Sequence, residues 1–348
     1  GWMQTPRDID ISRRLPGKAG GMELYIRMLR LCTTRLKGFD VVAIHSPLFL
    51  QLQPDRVRRI FDIVKRNNRS VFLTALSTDS LYVNECLDPA SPLQYTEYMH
   101  FGSPAPMAIE RPHLLRDWQS NQLTGHCNYI YGNIDGAVAV LYEYYLAICR
   151  GLPQHRRAYG GIPIDMEAST PVEIPENPET IRLFLGRHAG RLTAKGTDRL
   201  EIAARRAIER HPGKAELIIV ENRPIAEYRQ LLASAHVVID QAYSYSPATN
   251  ALLAMANGQC AVTGAEPEYY DFIGESDNKP MFNSPVDVDA MTTMFEKIIT
   301  SPPGELRRRG LKSREFVMRH NDATIVASRF ARFWEERLMA KTAKHHNA

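Results

Sequence analysis

The chain of 348 residues is 44% hydrophobic and 24% charged, with a formal net charge of +4. This composition is typical of a globular protein with sizeable cores, the length predicts two domains, and the small basic excess does not require nucleic acid as a partner. Five scattered cysteines without a CxxC spacing predict reduced thiols and no structural zinc. Neither a signal peptide nor an apolar run of membrane-spanning length is evident, so we expect a cytoplasmic protein.

Residues 1–160 predict a Rossmann-like α/β domain, because apolar strands alternate with amphipathic helices. The expected elements are helices at 20–38, 54–68 and 142–151, and strands at 39–47, 69–79 and 135–141. The segment 80–130, rich in Pro, Tyr and Asn, is predicted to be irregular. A linker is expected over 161–178, where Pro163, Pro171, Pro175 and Pro178 favour an extended and stiff chain.

The region 179–318 repeats the alternation of short apolar runs and helices, which predicts βαβ units and a parallel sheet. The expected elements are strands at 181–185, 216–220, 236–240 and 259–264, and helices at 197–213, 224–235, 246–258 and 266–274. Ligands of such sheets bind beyond the carboxyl ends of the strands. A further helix is expected over 319–339, with Phe330, Phe333 and Trp334 as an apolar stripe, followed by a disordered tail at 340–348.

The most informative stretch runs from Gly186-Arg187, at the end of a predicted strand, to Lys195-Gly196, at the start of a predicted helix. A helix N-terminus offers unpaired N–H groups and a partial positive charge, and the two side chains add full charges. We therefore expect Arg187 and Lys195 to converge on a diphosphate-like anion. The alternative is a pair of solvated cations on a surface loop.

A second helix N-terminus is expected at the same edge of the sheet. Ser246 is a candidate N-cap, Pro247 suits the first helical position, and Gly258 follows the expected end. This helix would direct Thr249 and Asn250 toward the same ligand.

The succession GR…KGTD (186–198), VEN (220–222), ALLAMANGQCAVTG (251–264) and EPE (266–268) resembles the donor-binding domain of GT-B glycosyltransferases, in the large family called family 4 or group 1. The order and spacing of these segments are more specific than any one of them. The resemblance implies two Rossmann-like domains facing a cleft, with the C-terminal helix crossing back to the N-terminal domain. It also implies retaining, metal-independent transfer of a sugar from a nucleoside-diphosphate sugar, with no cofactor beyond that donor.

On this resemblance we expect Arg187, Lys195 and His45 to be catalytic. A retaining transfer needs no protein base if the leaving diphosphate assists and the cations stabilise its developing charge. His45 is the best placed histidine, at the end of a predicted strand, although a loop histidine is more often structural. The expected donor-binding residues are Gly186, Glu221, Asn222, Tyr245, Ser246, Thr249, Asn250 and Glu268.

The chain departs from the family pattern in three places. The first strand-loop unit of the N-terminal domain has no counterpart, so that domain is expected to be incomplete. Of the family's two glutamates, the one that contacts the donor ribose falls on Leu253 and the other on Tyr245. A histidine of related enzymes falls on Leu76, with Thr78 and Asp79 as the nearest polar candidates.

These departures leave alternatives open. One is a catalytically degenerate homologue that binds a sugar nucleotide or a glycan. Another is a nucleotide-sugar epimerase, which would need acid and base side chains that the sequence does not assemble. The acceptor is a glycan, a lipid or a small molecule, no nucleic acid partner is expected, and the basic run Arg307–Arg309 with Lys312 permits a peripheral contact with the inner face of a membrane.

Overall fold

The structure, a computed structural model, describes residues 8–221 and 223–346. Asn222, an expected donor-binding residue, lies outside the described residues. Two parallel sheets, each flanked by helices, account for most of the fold. None of the helices in the described part of the chain combines the length and apolarity needed to cross a bilayer.

The first half of the chain forms a parallel sheet and a separate hairpin. Its strands are β1 (Val42–Ile44), β2 (Val71–Ala75), β3 (Met99–His100), β4 (Ser103–Pro104), β5 (Gly136–Ala139) and β6 (Arg157–Tyr159). The parallel sheet has the order β1-β2-β5-β6, and β3 pairs antiparallel with β4. The helices are α1 (Gly17–Thr34), α2 (Pro54–Asn67), α3 (Ser80–Leu87), α4 (Pro106–Glu110), α5 (Pro112–Trp118), α6 (Asn121–Asn133) and α7 (Tyr142–Gly151).

Helix α2 shows how the sequence pattern determines these elements. Pro54 occupies the first helical turn, where its missing N–H costs nothing. Val57, Ile60, Phe61 and Val64 are buried, and their spacing places them on one face against the sheet. Helix α1 ends earlier than expected, at Thr34 rather than near Gly38.

The prediction that 80–130 is irregular was wrong, because this segment contains four helices and the hairpin. The carboxylate of Asp79 accepts the amide N–H of Tyr82 at 3.0 Å and caps α3. The hydroxyl of Ser120 accepts the amide of Leu123 at 3.3 Å and caps α6. Such caps are sequence signals for helix starts, and the high Pro and Asn content concealed them.

The second half of the chain forms a five-stranded parallel sheet of order β11-β10-β9-β7-β8. Its strands are β7 (Ile181–Arg187), β8 (Ala215–Glu221), β9 (Val237–Ile239), β10 (Cys260–Thr263) and β11 (Phe282–Asn283). Its helices are α8 (Leu192–Lys195), α9 (Thr197–Arg210), α10 (Ile225–Ala233), α11 (Thr249–Ala256), α12 (Pro267–Ile273), α13 (Val288–Ile299) and α14 (Glu305–His320). Leu183, Phe184 and Leu185 are fully buried in β7, as in a strand covered on both faces.

The segment 161–178 has no helix or strand in the structure. It follows the second domain closely: the amide of Val172 donates to the carbonyl oxygen of Asn257 at 2.7 Å, and the amide of Gly304 donates to that of Glu176 at 2.6 Å. The path is therefore extended and held by backbone hydrogen bonds.

The last helix, α15 (Ala323–His346), packs on the N-terminal sheet. The rings of Phe333 and Trp334 lie 6.0 and 6.1 Å from the ring of Phe72 in β2. The expectation of a disordered tail over 340–348 was wrong for 340–346, which are helical. Lys341 anchors this end, since its Nζ lies 2.9 Å from the carboxylate of Asp135 and 2.6 Å from the carbonyl oxygen of Arg69.

Candidate functional site

Arg187 lies at the carboxyl edge of the second sheet and is held by two carboxylates. It is the last residue of β7, in register with Glu221 at the end of β8. Its guanidinium lies 2.5 Å from an oxygen of Glu201 in α9 and 3.1 Å from an oxygen of Glu221. Glu221, an expected donor-binding residue, is therefore engaged with Arg187. Gly186 is tightly covered, since a Cβ there would lie 2.7 Å from the hydroxyl oxygen of Tyr228.

Lys195 is the last residue of α8 and has a buried partner. Its Nζ lies 3.0 Å from Oδ1 of Asp240, a residue that follows β9 and is 2% exposed. The other carboxylate oxygen of Asp240 has no hydrogen-bond partner among the described residues. Since β7 and β9 are neighbours, Lys195 and Arg187 lie at the same edge of the sheet. Their convergence on one anion stays a prediction.

Two further cations accompany them, and sequence reasoning missed both. Arg191 is exposed and Arg199 half-buried, and neither forms an ion pair with a carboxylate in the described part of the chain. Burial, with the charge of Arg199, lowers the pKa of His100 to about 4. The sequence does carry a signal for these two cations, since the segment 187–199 contains four Arg or Lys residues around two helix starts.

The loop before α11 is bound by the other domain through a buried carboxylate. Glu143, in the first turn of α7, accepts the amide N–H of Tyr245 at 2.6 Å, the amide N–H of Ser246 at 3.0 Å and the hydroxyl of Ser246 at 2.5 Å. Burial raises the pKa of Glu143, and the hydrogen bond from Ser246 opposes that rise. We call this arrangement of Glu143, Tyr245 and Ser246 the carboxylate clamp.

The clamp corrects the prediction for this helix. Ser246 does not cap it, and Pro247 is not its first residue, because α11 begins at Thr249 with Ala248 as the N-cap. The hydroxyl of Ser246 is instead directed to Glu143. The predicted end is confirmed: the helix stops at Ala256, and Gly258 has a φ of +78°, which favours glycine.

Tyr245 also meets the hairpin region of the first domain. Its hydroxyl accepts the amide N–H of Gln94 at 2.7 Å, and its ring centroid lies 4.8 Å from that of Tyr95. The hydroxyl of Tyr95 donates to Glu266 at 2.5 Å. The two domains are therefore in direct contact at the expected donor loop, and Tyr245 and Ser246 are occupied by protein groups.

The remaining expected donor-binding residues are more accessible. Thr249 is exposed and Asn250 half-buried, both in the first turn of α11. Glu268 is exposed in the first turn of α12. The structure thus leaves these three side chains available to a ligand at the same edge of the sheet.

His45 is the expected catalytic residue of the first domain, and its role stays a prediction. His45 follows β1 directly, is exposed, and has a pKa lowered by partial desolvation. Asp79, one of the polar candidates near Leu76, is buried, caps α3 and accepts the hydroxyl of Tyr131 at 2.6 Å, so its carboxylate is occupied by protein groups. Leu76 and Leu253, which stand where the family pattern has a histidine and a glutamate, are 43% and 41% exposed. Leu253 is therefore not a core residue.

Glu97 is a second carboxyl of the first domain that sequence reasoning missed. Burial raises its pKa, and the charges of Arg191 and Lys195 act against that rise. This electrostatic coupling relates the hairpin region to the basic segment 187–199. The described residues contain no group of three or more His, Cys, Asp or Glu side chains placed to hold a metal ion.

No family model matches this sequence, and no curated protein matches it. Solved structures do match. A mutant of TarM from S. aureus, in complex with Fondaparinux, alpha-GlcNAc-glycerol and UDP, superposes with a TM-score of 0.57 at 11% identity, over 89% of this chain and 58% of that one. This chain therefore spans less than two thirds of that protein.

Two other solved structures are matched over a larger share of their own chains. Sucrose-phosphate synthase from Thermosynechococcus elongatus gives a TM-score of 0.60 at 13% identity, over 92% of this chain and 79% of that one. Anabaena HepE in complex with UDP and glucose gives 0.57 at 12% identity, over 91% and 83%. At such low identities the likeness concerns architecture alone. The chain has the GT-B fold, with two parallel-sheet α/β domains in contact with each other.

Proposed function

We propose that this protein is a glycosyltransferase that moves a sugar from a nucleoside-diphosphate sugar to an acceptor hydroxyl. The observation that carries the proposal is the basic segment 187–199, which lies at the carboxyl edge of the second sheet, opposite the first domain. Ligands of parallel sheets bind at that edge. Fold neighbours whose structures contain UDP, such as HepE, support the choice of donor class.

The proposed chemistry follows from charge. The bond between the sugar's anomeric carbon and the diphosphate oxygen breaks, a bond to the acceptor oxygen forms, and the acceptor's proton passes to the leaving diphosphate. Negative charge develops on the leaving group, and fixed cations stabilise it. We assign this role first to Arg191 and Arg199, because neither lies within ion-pair distance of a carboxylate in the described residues, whereas Arg187 and Lys195 do.

Arg187 and Lys195 have a different electrostatic state. Glu201 and Glu221 pair with Arg187, Asp240 pairs with Lys195, and Glu201 is shared with Arg205, so the charges of Arg187 and Lys195 are already balanced by carboxylates. Binding of a diphosphate would therefore depend on the unpaired Arg191 and Arg199, or the diphosphate would displace one of the carboxylates that pair with Arg187. We propose that the reaction is retaining and metal-independent, with a glycan, lipid or small-molecule acceptor, and that any membrane contact is peripheral.

Calorimetric titration with UDP tests the proposal. Each charge-assisted contact to phosphate contributes about 1.5–3 kcal/mol, so Arg191→Gln and Arg199→Gln should each weaken UDP roughly ten-fold or more. Lys195→Ala should weaken it similarly, but that change also leaves buried Asp240 unpaired and lowers stability. The matched control is Lys214→Gln, an exposed lysine just before β8, at the opposite edge of the sheet. Unchanged UDP affinity in both arginine variants would contradict the proposed site.

A second candidate is a homologue that binds the sugar nucleotide without transferring it. The exposed leucines at positions 76 and 253 favour it, because apolar side chains stand where related enzymes present polar ones. Incubation with a panel of UDP-sugars distinguishes the two. Release of UDP or transfer to any acceptor supports the enzyme, whereas tight binding without turnover supports the binding protein.

A further inference from the structure

A pocket of about 290 Å³ lies where both domains and the C-terminal helix meet, and no residue of the basic segment 187–199 lines it. Its lining includes Tyr145 of α7, Tyr159 of β6, Phe272 of α12, Arg329 of α15 and the buried Asn321. Tyr142 separates this pocket from the carboxylate clamp, since its ring lies 6.4 Å from that of Tyr245 and 5.1 Å from that of Phe272.

One side of the pocket is aromatic. The ring of Phe272 lies 4.8 Å from that of Tyr145 and 5.0 Å from that of Tyr159. All three rings are partly exposed. Tyr145 and Tyr159 belong to the first domain, and Phe272 belongs to the second. This wall offers an apolar surface to one face of a small ring.

The other side carries a cation without a counter-ion. One terminal nitrogen of Arg329 donates to the carbonyl oxygens of Gly160 at 3.0 Å and His320 at 2.8 Å. These bonds fix the guanidinium and use only part of its donor capacity. Arg329 forms no ion pair with a carboxylate in the part of the chain that the structure describes. A positive charge held in this way attracts an anion and disfavours a cationic ligand.

The pocket lining also carries an unused acceptor. Asn321 is only 3% exposed, and its Nδ2 donates to the carbonyl oxygen of Ile162 at 3.0 Å. Its Oδ1 is buried and has no hydrogen-bond partner among the described residues. A buried acceptor without a donor is costly, so a ligand hydroxyl that reaches this oxygen would remove that cost.

From these three features we propose that the pocket binds a small hydroxylated anion with a ring, the class to which sugar phosphates belong. The ring packs on the aromatic wall, the anionic group pairs with Arg329, and one hydroxyl donates to Asn321. Because the contacts come from both domains, the bound ligand would hold the domains together. The proposal does not depend on the proposed transferase activity.

Calorimetry with ribose 5-phosphate, performed with and without saturating UDP, tests this site. Ribose 5-phosphate should bind at one site in both conditions, and ribose or inorganic phosphate alone should bind at least ten-fold more weakly. Arg329→Gln should weaken ribose 5-phosphate ten-fold or more while leaving UDP affinity unchanged. Arg332→Gln, an exposed arginine on the same helix, should change neither.

Phe272→Leu provides an independent variant if Arg329→Gln fails to fold, and it should also weaken ribose 5-phosphate. Inorganic phosphate binding as tightly as ribose 5-phosphate would overturn the ligand class. Loss of ribose 5-phosphate binding when UDP is present would place it in the donor cleft and overturn the site. Normal binding by a folded Phe272→Leu protein would do the same. A failure of UDP to bind would contradict the proposed function and leave this test intact.

Discussion

The carboxylate clamp makes a strong prediction about Glu143→Ala. Glu143 is 4% exposed and accepts three hydrogen bonds, two from backbone amides of Tyr245 and Ser246. Truncation leaves those two buried N–H groups without an acceptor, at roughly 1–3 kcal/mol each. The gross loss is therefore about 2–6 kcal/mol. Burial of the carboxylate is itself unfavourable, as its raised pKa indicates, so the lower half of that range, about 2–4 kcal/mol, is expected.

The assay is urea unfolding monitored by circular dichroism. Small-angle X-ray scattering in native buffer measures the radius of gyration. In the Glu143→Ala protein, the unfolding transition should begin at a lower urea concentration than in the wild type. The radius of gyration should increase, because the two domains lose a buried contact. Ser246→Ala, which removes one hydrogen bond of the three, should lose about 1 kcal/mol. The matched control is Glu336→Ala, an exposed glutamate of α15. If the Glu143→Ala protein unfolds at the same urea concentration as the control and keeps the wild-type radius of gyration, the carboxylate clamp is refuted.

Three further predictions follow from single side chains. Leu253 is 41% exposed, so Leu253→Glu should keep stability within about 0.5 kcal/mol and, if this position faces the ribose, tighten UDP several-fold in calorimetry; equal stability with equal affinity would show that the family register is wrong. Burial alone would raise the pKa of Glu275, but hydrogen bonds from His320 and from backbone amides, with the charge of Arg319, lower it from 4.5 to about 2. Since this folded pKa lies below the unfolded value, the carboxylate stabilises the fold above about pH 4.5 by about 3 kcal/mol and loses that contribution toward pH 2. The difference in unfolding free energy between the wild type and Glu275→Gln should therefore become smaller as the pH falls. A difference that does not change with pH would contradict the lowered pKa of Glu275. Phe333 is 8% exposed against the N-terminal sheet, so Phe333→Ala should cost about 3–5 kcal/mol in urea unfolding, whereas an unchanged midpoint would mean that α15 does not dock there.

The sequence was sufficient where the signal is local. Short apolar runs between amphipathic helices predicted four of the five strands of the second sheet, and β7 (181–187) begins where the apolar run 181–185 begins and continues two residues beyond it. The edge positions of Arg187 and Glu221 followed from those strands. Helix starts inside 80–130 were not predicted although Asp79 and Ser120 are ordinary N-caps, because the Pro, Tyr and Asn content of this segment favours irregular structure.

The sequence was insufficient where partners are distant in the chain. Ser246 looked like an N-cap, yet its hydroxyl bonds to Glu143, 103 residues earlier. The partners of Lys195 and Tyr245 are Asp240 and Gln94, and no spacing rule links such residues. Whether a cation is free or paired depends on these contacts, so Arg191 and Arg199 could be separated from Arg187 and Lys195 only in the structure.

Hydrogen–deuterium exchange with and without UDP tests the central claim most directly, because it locates the ligand on the chain without any substitution. The account predicts slower exchange on UDP addition in the segment 187–199 and in the first turn of α11 at Thr249–Asn250, with no change at Lys214 on the opposite edge of the sheet. Protection confined to other parts of the chain, with 187–199 unaffected at saturating UDP, would contradict it.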